Sequence, residues 1–181
     1  MKIKILSWNV QEVNDRNKRS LIKALISSKK MDLVYLQETQ MSQMSLGVVR
    51  SLGVGRFLEW GVLNARGAVG GVVVFWDSRV LELAGMEVGL FSISCRFKNC
   101  EDGFRWIFSG VYGLTMKRYR ELFWEELGAI RGLGNDPWCI CGDFNMIRFP
   151  NERRRGGRVS PSMRRFSEVI DDDLDLRDLP L

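Results

Sequence analysis

Short apolar segments typical of β-strands dominate this chain, and the longest of them, GVVVFW at residues 71–76, is far too short to cross a membrane. Residues 2–10 and 31–37 are two such segments, and residues 14–30 between them repeat apolar side chains at helical spacing. A strand, a helix and a second strand in this order predict a parallel strand pair. The first third of the chain therefore indicates an α/β protein.

Further strands are predicted at residues 57–63, 71–76, 81–95 and 104–112, and their short, turn-like connections favour antiparallel pairing. Helices are predicted at residues 41–52 and 117–133, and a strand follows at 138–141. A last helix should begin at Ser160, a good N-cap, with Pro161 in its first turn. The predicted apolar helix faces consist of Leu21, Ile22, Leu25 and Ile26, then Leu122, Phe123, Leu127 and Ile130, then Phe166, Val169 and Ile170.

Charge is distributed unevenly along the chain, which we expect to form one domain over its 181 residues. The net charge is only +5, but residues 148–165 contain seven arginines against one acid, Glu152. Residues 171–178 contain five aspartates and one arginine. A basic segment followed by an acidic one predicts a local electrostatic field that suits a polyanionic partner.

The four cysteines do not form a CxxC pair, and the chain has no histidine to complete a zinc site. Cys139 and Cys141 alternate with other residues and should share one strand face. We therefore interpret all four as small buried thiols. The N-terminal sequence does not resemble a secretory signal, so we expect a soluble protein of a reducing compartment that is not secreted.

Polar side chains end four of the strand-like segments: Asn9, Glu38, Tyr112 and the pair Asp143 and Asn145. In an extended chain the members of that pair would point the same way. Carboxylate and amide oxygens without histidine favour a hard cation such as Mg²⁺. Each residue also has a simpler interpretation, because Asn and Asp residues cap turns and surface acids or tyrosines are common.

Six motifs in sequence order resemble the endonuclease/exonuclease/phosphatase superfamily, in particular the apurinic-type endonuclease domain of plant LINE-type (non-LTR) retrotransposons. They are ILSWNVQEVNDRNKRSLIK, VYLQET, GGVVVFWDSRV, FSGVYG, WCICGDFN and IDDDLDLRDLPL. The resemblance implies a DNase I-like sandwich of two mixed β-sheets flanked by helices. It also implies phosphodiester hydrolysis with Mg²⁺, or Mn²⁺ in its place, by a DNA-nicking enzyme.

The resemblance further implies roles for individual residues. Glu38 matches the metal-ligating glutamate, and Asn9 the asparagine near the metal and the scissile phosphate. Tyr112 matches a phosphate-contacting tyrosine. Asp143 matches the aspartate that orients or deprotonates the attacking water, with Asn145 the asparagine beside it.

The chain also departs from the family pattern. Gln11 stands where many relatives have a second acid, and the late aspartate and C-terminal Ser-Asp-His segment have no counterpart. Missing acid–base help lowers a rate by roughly 10²–10⁴. We therefore expect an inactive or strongly impaired nuclease, a second sheet that lacks strands, and a monomer that tends to aggregate. A fragment of a longer element is an equal alternative.

The basic segment predicts contacts of Arg153, Arg154, Arg155 and Arg158 with DNA backbone phosphates, without strong sequence preference. A merely solvated arginine loop is the alternative. Three other functions stay open: a non-catalytic nucleic-acid binder, a small-molecule phosphatase of the same superfamily, and a structural module without a phosphate ligand. A retroelement endonuclease would act in the nucleus, and otherwise we expect a cytoplasmic protein.

Overall fold

The structure is a computed structural model that describes residues 1–53, 55–66 and 70–179. Parts of the predicted turn at residues 64–70 and of the motif IDDDLDLRDLPL lie outside the described residues. The chain divides into two compact units. The first comprises Met1–Tyr112 and Asp136–Gly142, and the second comprises Gly113–Asn135 and Asp143–Leu181.

The first sheet has the strand order β1-β2-β4-β3. Its strands are β1 (Ile5–Asn9), β2 (Leu33–Gln37), β3 (Leu58–Leu63) and β4 (Val72–Asp77). The pair β1 and β2 is parallel, which confirms the prediction from the strand–helix–strand pattern. Strand β4 is antiparallel to both β2 and β3, so the sheet is mixed.

The second sheet has the order β5-β6-β7-β8. Its strands are β5 (Leu81–Val88), β6 (Ser92–Asn99), β7 (Arg105–Tyr112) and β8 (Trp138–Asp143). The prediction of one strand over residues 81–95 is wrong, because the chain turns between β5 and β6 and the two strands pair antiparallel.

Strands β6 and β7 are also antiparallel, whereas β7 and β8 run in the same direction. At the start of this pair the Ile107 amide donates to the Pro137 carbonyl, and at its end the Gly113 amide donates to the Asp143 carbonyl. The bonds thus advance in the same direction along both strands. The second sheet is therefore mixed as well, and the prediction of two mixed sheets with helices is confirmed.

All four predicted helices are present: α1 (Arg16–Lys29), α2 (Leu46–Leu52), α3 (Arg120–Arg131) and α4 (Pro161–Glu168). The Ser160 hydroxyl accepts a hydrogen bond from the Met163 amide at 3.3 Å, as the N-cap prediction requires. Two assignments to apolar faces are wrong, because Leu21 is 70% exposed and Leu122 46% exposed. Within the described residues no helix is long and apolar enough to span a membrane.

Two apolar clusters stabilise the first unit, one on each face of the first sheet. The outer cluster joins α1 and α2 to the sheet through residues such as Ile22, Val49 and Phe75. The inner cluster joins the two sheets into a sandwich and contains Tyr35, Trp76 and Phe108. Burying such side chains contributes about 25 cal/mol per Å² of apolar surface, so both clusters stabilise the first unit.

Tyr35 links the two sheets at the centre of the sandwich. Its hydroxyl donates to the Val111 carbonyl at 2.9 Å, and both groups are buried. The ring lies directly on Gly110, where an added Cβ would come within 2.2 Å of the ring. A glycine is therefore required opposite this tyrosine.

The cysteines differ more than the sequence predicts. Cys95 is buried and its pKa is raised to about 12 by that burial. Cys100 is exposed, so its assignment as a buried thiol is wrong. Cys139 and Cys141 share a strand face as predicted, and the hydrogen bond between them lowers the pKa of Cys139 and raises that of Cys141.

Aromatic rings form the centre of the second unit. Trp124 of α3 stacks on Phe166 of α4 at a centroid distance of 5.5 Å. Phe144 contacts Phe166 at 5.4 Å and Phe123 at 5.8 Å. A short π-helical segment, Val169–Asp173, continues α4 and buries Val169 and Ile170 as predicted.

Candidate active site

Asn9 and Glu38 lie at the ends of neighbouring parallel strands. Asn9 is paired with Gln37, the residue before Glu38. The pairing continues beyond the strands, because the Val10 amide donates to the Gln37 carbonyl at 3.0 Å and the Glu12 amide to the Glu38 carbonyl at 2.6 Å. The fold therefore brings the two predicted metal-site residues to the same edge of the first sheet.

Main-chain hydrogen bonds hold the turn that presents Glu38. The Thr39 amide donates to the Gly71 carbonyl at 3.1 Å, and the Gln40 amide to the Gly70 carbonyl at 2.7 Å. Glu38 itself has a left-handed backbone with φ of 57°. Such a conformation costs a non-glycine residue of order 1–3 kcal/mol and is concentrated at functional sites.

Tyr112, the last residue of β7, contacts the same carboxylate. Its phenol donates to Glu38 Oε1 at 3.3 Å, and both side chains are half-buried. The two residues are 74 apart in sequence. The structure thus brings together three of the predicted site residues, Asn9, Glu38 and Tyr112, within the first unit.

The segment after Asn9 also has an unusual backbone. Asn9 Oδ1 accepts a hydrogen bond from the Gln11 amide at 3.1 Å, which forms a tight turn. Gln11 and Glu12 both have positive φ values, 54° and 102°. The sequence has no glycine at these positions, so it gives no signal for a turn with positive φ values, and we did not predict one.

Asp143 and Asn145 belong to the second unit and form a turn of their own. The Asn145 amide donates to Asp143 Oδ1 at 2.7 Å, and Asn145 has a φ of 49°. The Asn145 side-chain amide donates to the Gly113 carbonyl. The chain is therefore not extended here, and the expectation that these side chains point the same way by strand alternation does not apply.

Two glycines allow the main chain to pass close to its neighbours around this motif. At Gly142, where φ is 137°, an added Cβ would lie 2.0 Å from the Val111 carbonyl oxygen. At Gly113 it would lie 2.3 Å from the Phe144 carbonyl oxygen. These contacts explain why glycine precedes Asp143 and follows Tyr112.

The arginines of the basic segment fall into two groups. Arg153, Arg154, Arg155 and Arg158 are exposed, and none of them is in an ion pair within the part of the chain that the structure describes. Arg148 and Arg165 instead contact carboxylates of the second unit. The four predicted nucleic-acid-binding arginines are thus available to a ligand, and so is Arg164, which is exposed and in no ion pair within the described residues.

The sequence pattern of the Endonuclease/Exonuclease/phosphatase family matches residues 6–172. The chain belongs to this family. The superfamily predicted from the motifs is thereby confirmed, whereas the likeness to plant LINE-type elements stays a prediction. No curated protein sequence matches the chain.

Solved structures support the same fold. The human Nocturnin catalytic domain with bound sulfate superimposes with a TM-score of 0.61 at 13% identity, over 80% of this chain and 65% of that one. The Xenopus laevis APE2 catalytic domain gives 0.58 at 20% identity, over 82% and 60%. D. rerio TDP2 complexed with a single-strand DNA product gives 0.60 at 14% identity, over 80% and 61%. The chain spans less than two-thirds of the length of these proteins.

Enzymes of this family generally use divalent metals. The first unit offers two oxygen ligands, the Glu38 carboxylate and the Asn9 amide oxygen, with the Tyr112 phenol hydrogen-bonded to that carboxylate. Within the described residues no three Asp, Glu, Cys or His side chains are grouped as a metal site. This donor set fits Mg²⁺, because Mg²⁺ keeps several waters and is usually bound by one or two carboxylates together with substrate phosphates.

Proposed function

We propose that this chain is a divalent-metal-dependent phosphodiesterase domain that nicks DNA, of the type found in plant LINE-type retrotransposons. The observation that carries the proposal is the hydrogen bond between Tyr112 and Glu38 beside Asn9, because it joins a carboxylate and a phenol at the end of a parallel strand pair. Sites in α/β proteins are commonly found at such strand ends.

Within the first unit, Glu38 and Asn9 would hold the metal ion through their side-chain oxygens. The ion, when bound, supplies positive charge that neutralises the scissile phosphate. Tyr112 has a single O–H to donate. In the structure it donates to Glu38 Oε1, and a bound phosphate oxygen would compete with that carboxylate for the same hydrogen. The left-handed turn keeps Glu38 in place without help from its own side chain.

Within the second unit, Asp143 would orient the attacking water and accept its proton. Asn145 is the positioning residue for this carboxylate, because its main-chain amide donates to Asp143 Oδ1. The 181 residues contain no histidine, so we expect slow turnover.

Arg153, Arg154, Arg155 and Arg158 would bind DNA through its backbone, because they are exposed and form no ion pair with any residue that the structure describes. The TDP2 structure with a DNA product is a related fold bound to nucleic acid, which supports this choice of partner. Each phosphate contact contributes about −0.9 to the slope of log affinity against log salt on duplex DNA. A retroelement endonuclease would meet this DNA in the nucleus.

The decisive experiment is nicking of supercoiled plasmid by the purified chain with Mg²⁺ or Mn²⁺. Glu38→Gln and Asp143→Asn should each abolish nicking, while Glu87→Gln, an exposed acid on β5, serves as the matched control. A phosphomonoester substrate in parallel tests the phosphatase alternative. Nicking that survives Glu38→Gln would contradict the assigned metal site.

A second function is a nucleic-acid binder without catalysis. It is favoured by the exposed arginines, which form no ion pair among the described residues, together with the absence of histidine from the sequence. Salt-dependent DNA binding by folded protein, with no nicking in either metal, would support the binder over the nuclease. Nicking that requires both Glu38 and Asp143 would rule it out.

A further inference from the structure

Arg148 is set apart from the other arginines of the basic segment by its burial. Its side chain is only 14% exposed, and its guanidinium contacts Asp171 and, at 3.4 Å, Asp178. Two carboxylates thus face one cation. A phosphate approaching this guanidinium would meet a net negative charge, so Arg148 is a poor phosphate ligand.

The residues next to Arg148 are also held in place. The Glu152 carboxylate accepts hydrogen bonds from the main-chain amides of Arg148 at 3.1 Å and Phe149 at 3.2 Å. The Arg148 guanidinium lies over the Phe149 ring at 4.9 Å. The single acid of the basic segment is therefore a structural residue, which fixes the short 3₁₀ turn Pro150–Glu152.

The exposed arginines follow directly after this anchored turn. Arg153 is the residue after Glu152, and its amide donates to the Pro150 carbonyl at 3.1 Å. Gly156 and Gly157 both have positive φ values and separate Arg155 from Arg158. Because two glycines make a loop flexible, an anchor at its start reduces the freedom that binding would otherwise have to remove.

We propose that Arg148 is a positioning residue for nucleic-acid binding: its ion pairs with Asp171 and Asp178 hold residues 149–158 so that Arg153, Arg154, Arg155 and Arg158 face the phosphate backbone together. This inference rests on the proposed function, since it assumes that these four arginines bind DNA. Two aspartates of the acidic segment would then promote DNA binding, although their negative charge alone would repel the phosphates.

The test compares two double variants that remove the same charge. Asp171→Asn with Asp178→Asn removes the partners of Arg148. Asp172→Asn with Asp175→Asn removes two exposed acids that form no ion pair within the described residues, and is the matched control. Long-range electrostatics alone would make both variants bind DNA more tightly.

We expect the two double variants to change DNA affinity in opposite directions, or only one of them to weaken it. The control should bind duplex DNA as tightly as the parent chain or more tightly, whereas loss of the Arg148 partners should weaken binding roughly three- to tenfold, the cost of ordering released side chains. Arg148→Gln should weaken binding to a similar degree with an unchanged salt slope. A slope reduced by about 0.9 would make Arg148 a phosphate contact and overturn the proposal.

Limited trypsin digestion gives a readout that does not depend on DNA. Cleavage at Arg153, Arg154 and Arg155 should become faster in Asp171→Asn/Asp178→Asn and in Arg148→Gln, and stay unchanged in the control. Unchanged cleavage in all variants would show that Arg148 does not hold the loop, and the proposal fails. Faster cleavage in a chain that binds no DNA would show that the loop is anchored but that the proposed DNA binding is wrong.

Discussion

The turn at Glu38 and the turn at Asn145 both contain a strained residue, but different hydrogen bonds stabilise them. Each follows a strand, and each contains a left-handed residue other than glycine, with φ of 57° and 49°. The turn at Glu38 is held by main-chain hydrogen bonds: the Glu12 amide donates to the Glu38 carbonyl, and the next two amides donate to the carbonyls of Gly71 and Gly70. Asn145 instead uses its own side chain to bind the Gly113 carbonyl. The first turn therefore does not depend on the Glu38 side chain, which accepts a hydrogen bond from Tyr112 instead, whereas the second turn is held by the Asn145 side chain.

The largest effect on the free energy of unfolding is expected at Gly142, just before the turn at Asn145. Gly142→Ala places a Cβ 2.0 Å from the Val111 carbonyl oxygen at a φ of 137°, so we expect roughly 3–5 kcal/mol of destabilisation. Urea denaturation measures it. Gly128→Ala in α3, where nothing lies within 4 Å of an added Cβ, is the control and should stabilise by about 0.5–1 kcal/mol.

Asn145→Ala should have the next largest effect. It loses the bond to the Gly113 carbonyl and keeps an unfavourable φ, which together amount to about 2–3 kcal/mol. The melting temperature should fall by about 2–4 °C for each kcal/mol. Asn145→Gly loses the bond without the strain and should fall less; equal losses would mean that the backbone conformation contributes nothing.

Tyr112→Phe should have a smaller effect. The hydrogen bond to Glu38 is 3.3 Å long and half-exposed, so we expect less than about 1 kcal/mol. A double-mutant cycle with Glu38→Gln isolates this contact. A coupling energy above about 2 kcal/mol would show that the pair stabilises the fold. The Glu38 side chain would then have a structural role, as the Asn145 side chain does.

Glu38→Gln should change stability least, within about 0.5 kcal/mol, because main-chain bonds hold its turn. Stabilisation by Mg²⁺ should nevertheless disappear, as measured by the melting temperature with and without the ion. If the free energy of unfolding dropped as far as in Asn145→Ala, the first turn would depend on its side chain too.

Local patterns were enough to predict most of the fold. The strand–helix–strand pattern correctly predicted the parallel pair, and Ser160 with Pro161 correctly predicted the start of α4. The turn between β5 and β6 was missed because its sequence, VGLFS, is largely apolar and has only one turn-forming residue before the next strand. Leu21 and Leu122 were wrongly assigned to the buried helix faces. Each directly precedes a buried residue, and helical periodicity locates the edge of a face only to within one residue.

The candidate site was predicted only in part, for a different reason. Strand ends and motifs gave Asn9, Glu38 and Tyr112, which the fold brings together. The roles of these residues, and of Asp143 and Asn145, stay predictions. No local sequence pattern predicts the ion pairs of Arg148, because their partners lie 23 and 30 residues further along the chain. Such contacts depend on tertiary structure, which periodicity does not encode.

The bond from Tyr35 to Val111 has a consequence for the order of synthesis. All four strands of the first sheet lie within the first 77 residues, so this sheet can pair while the ribosome is still translating. The inner face of this sheet is covered by later residues in stages: Trp76 packs against Phe97, whereas Tyr35 contacts Phe108 and donates to the Val111 carbonyl. The contacts that join the two sheets can therefore form only later in translation than the pairing within the first sheet.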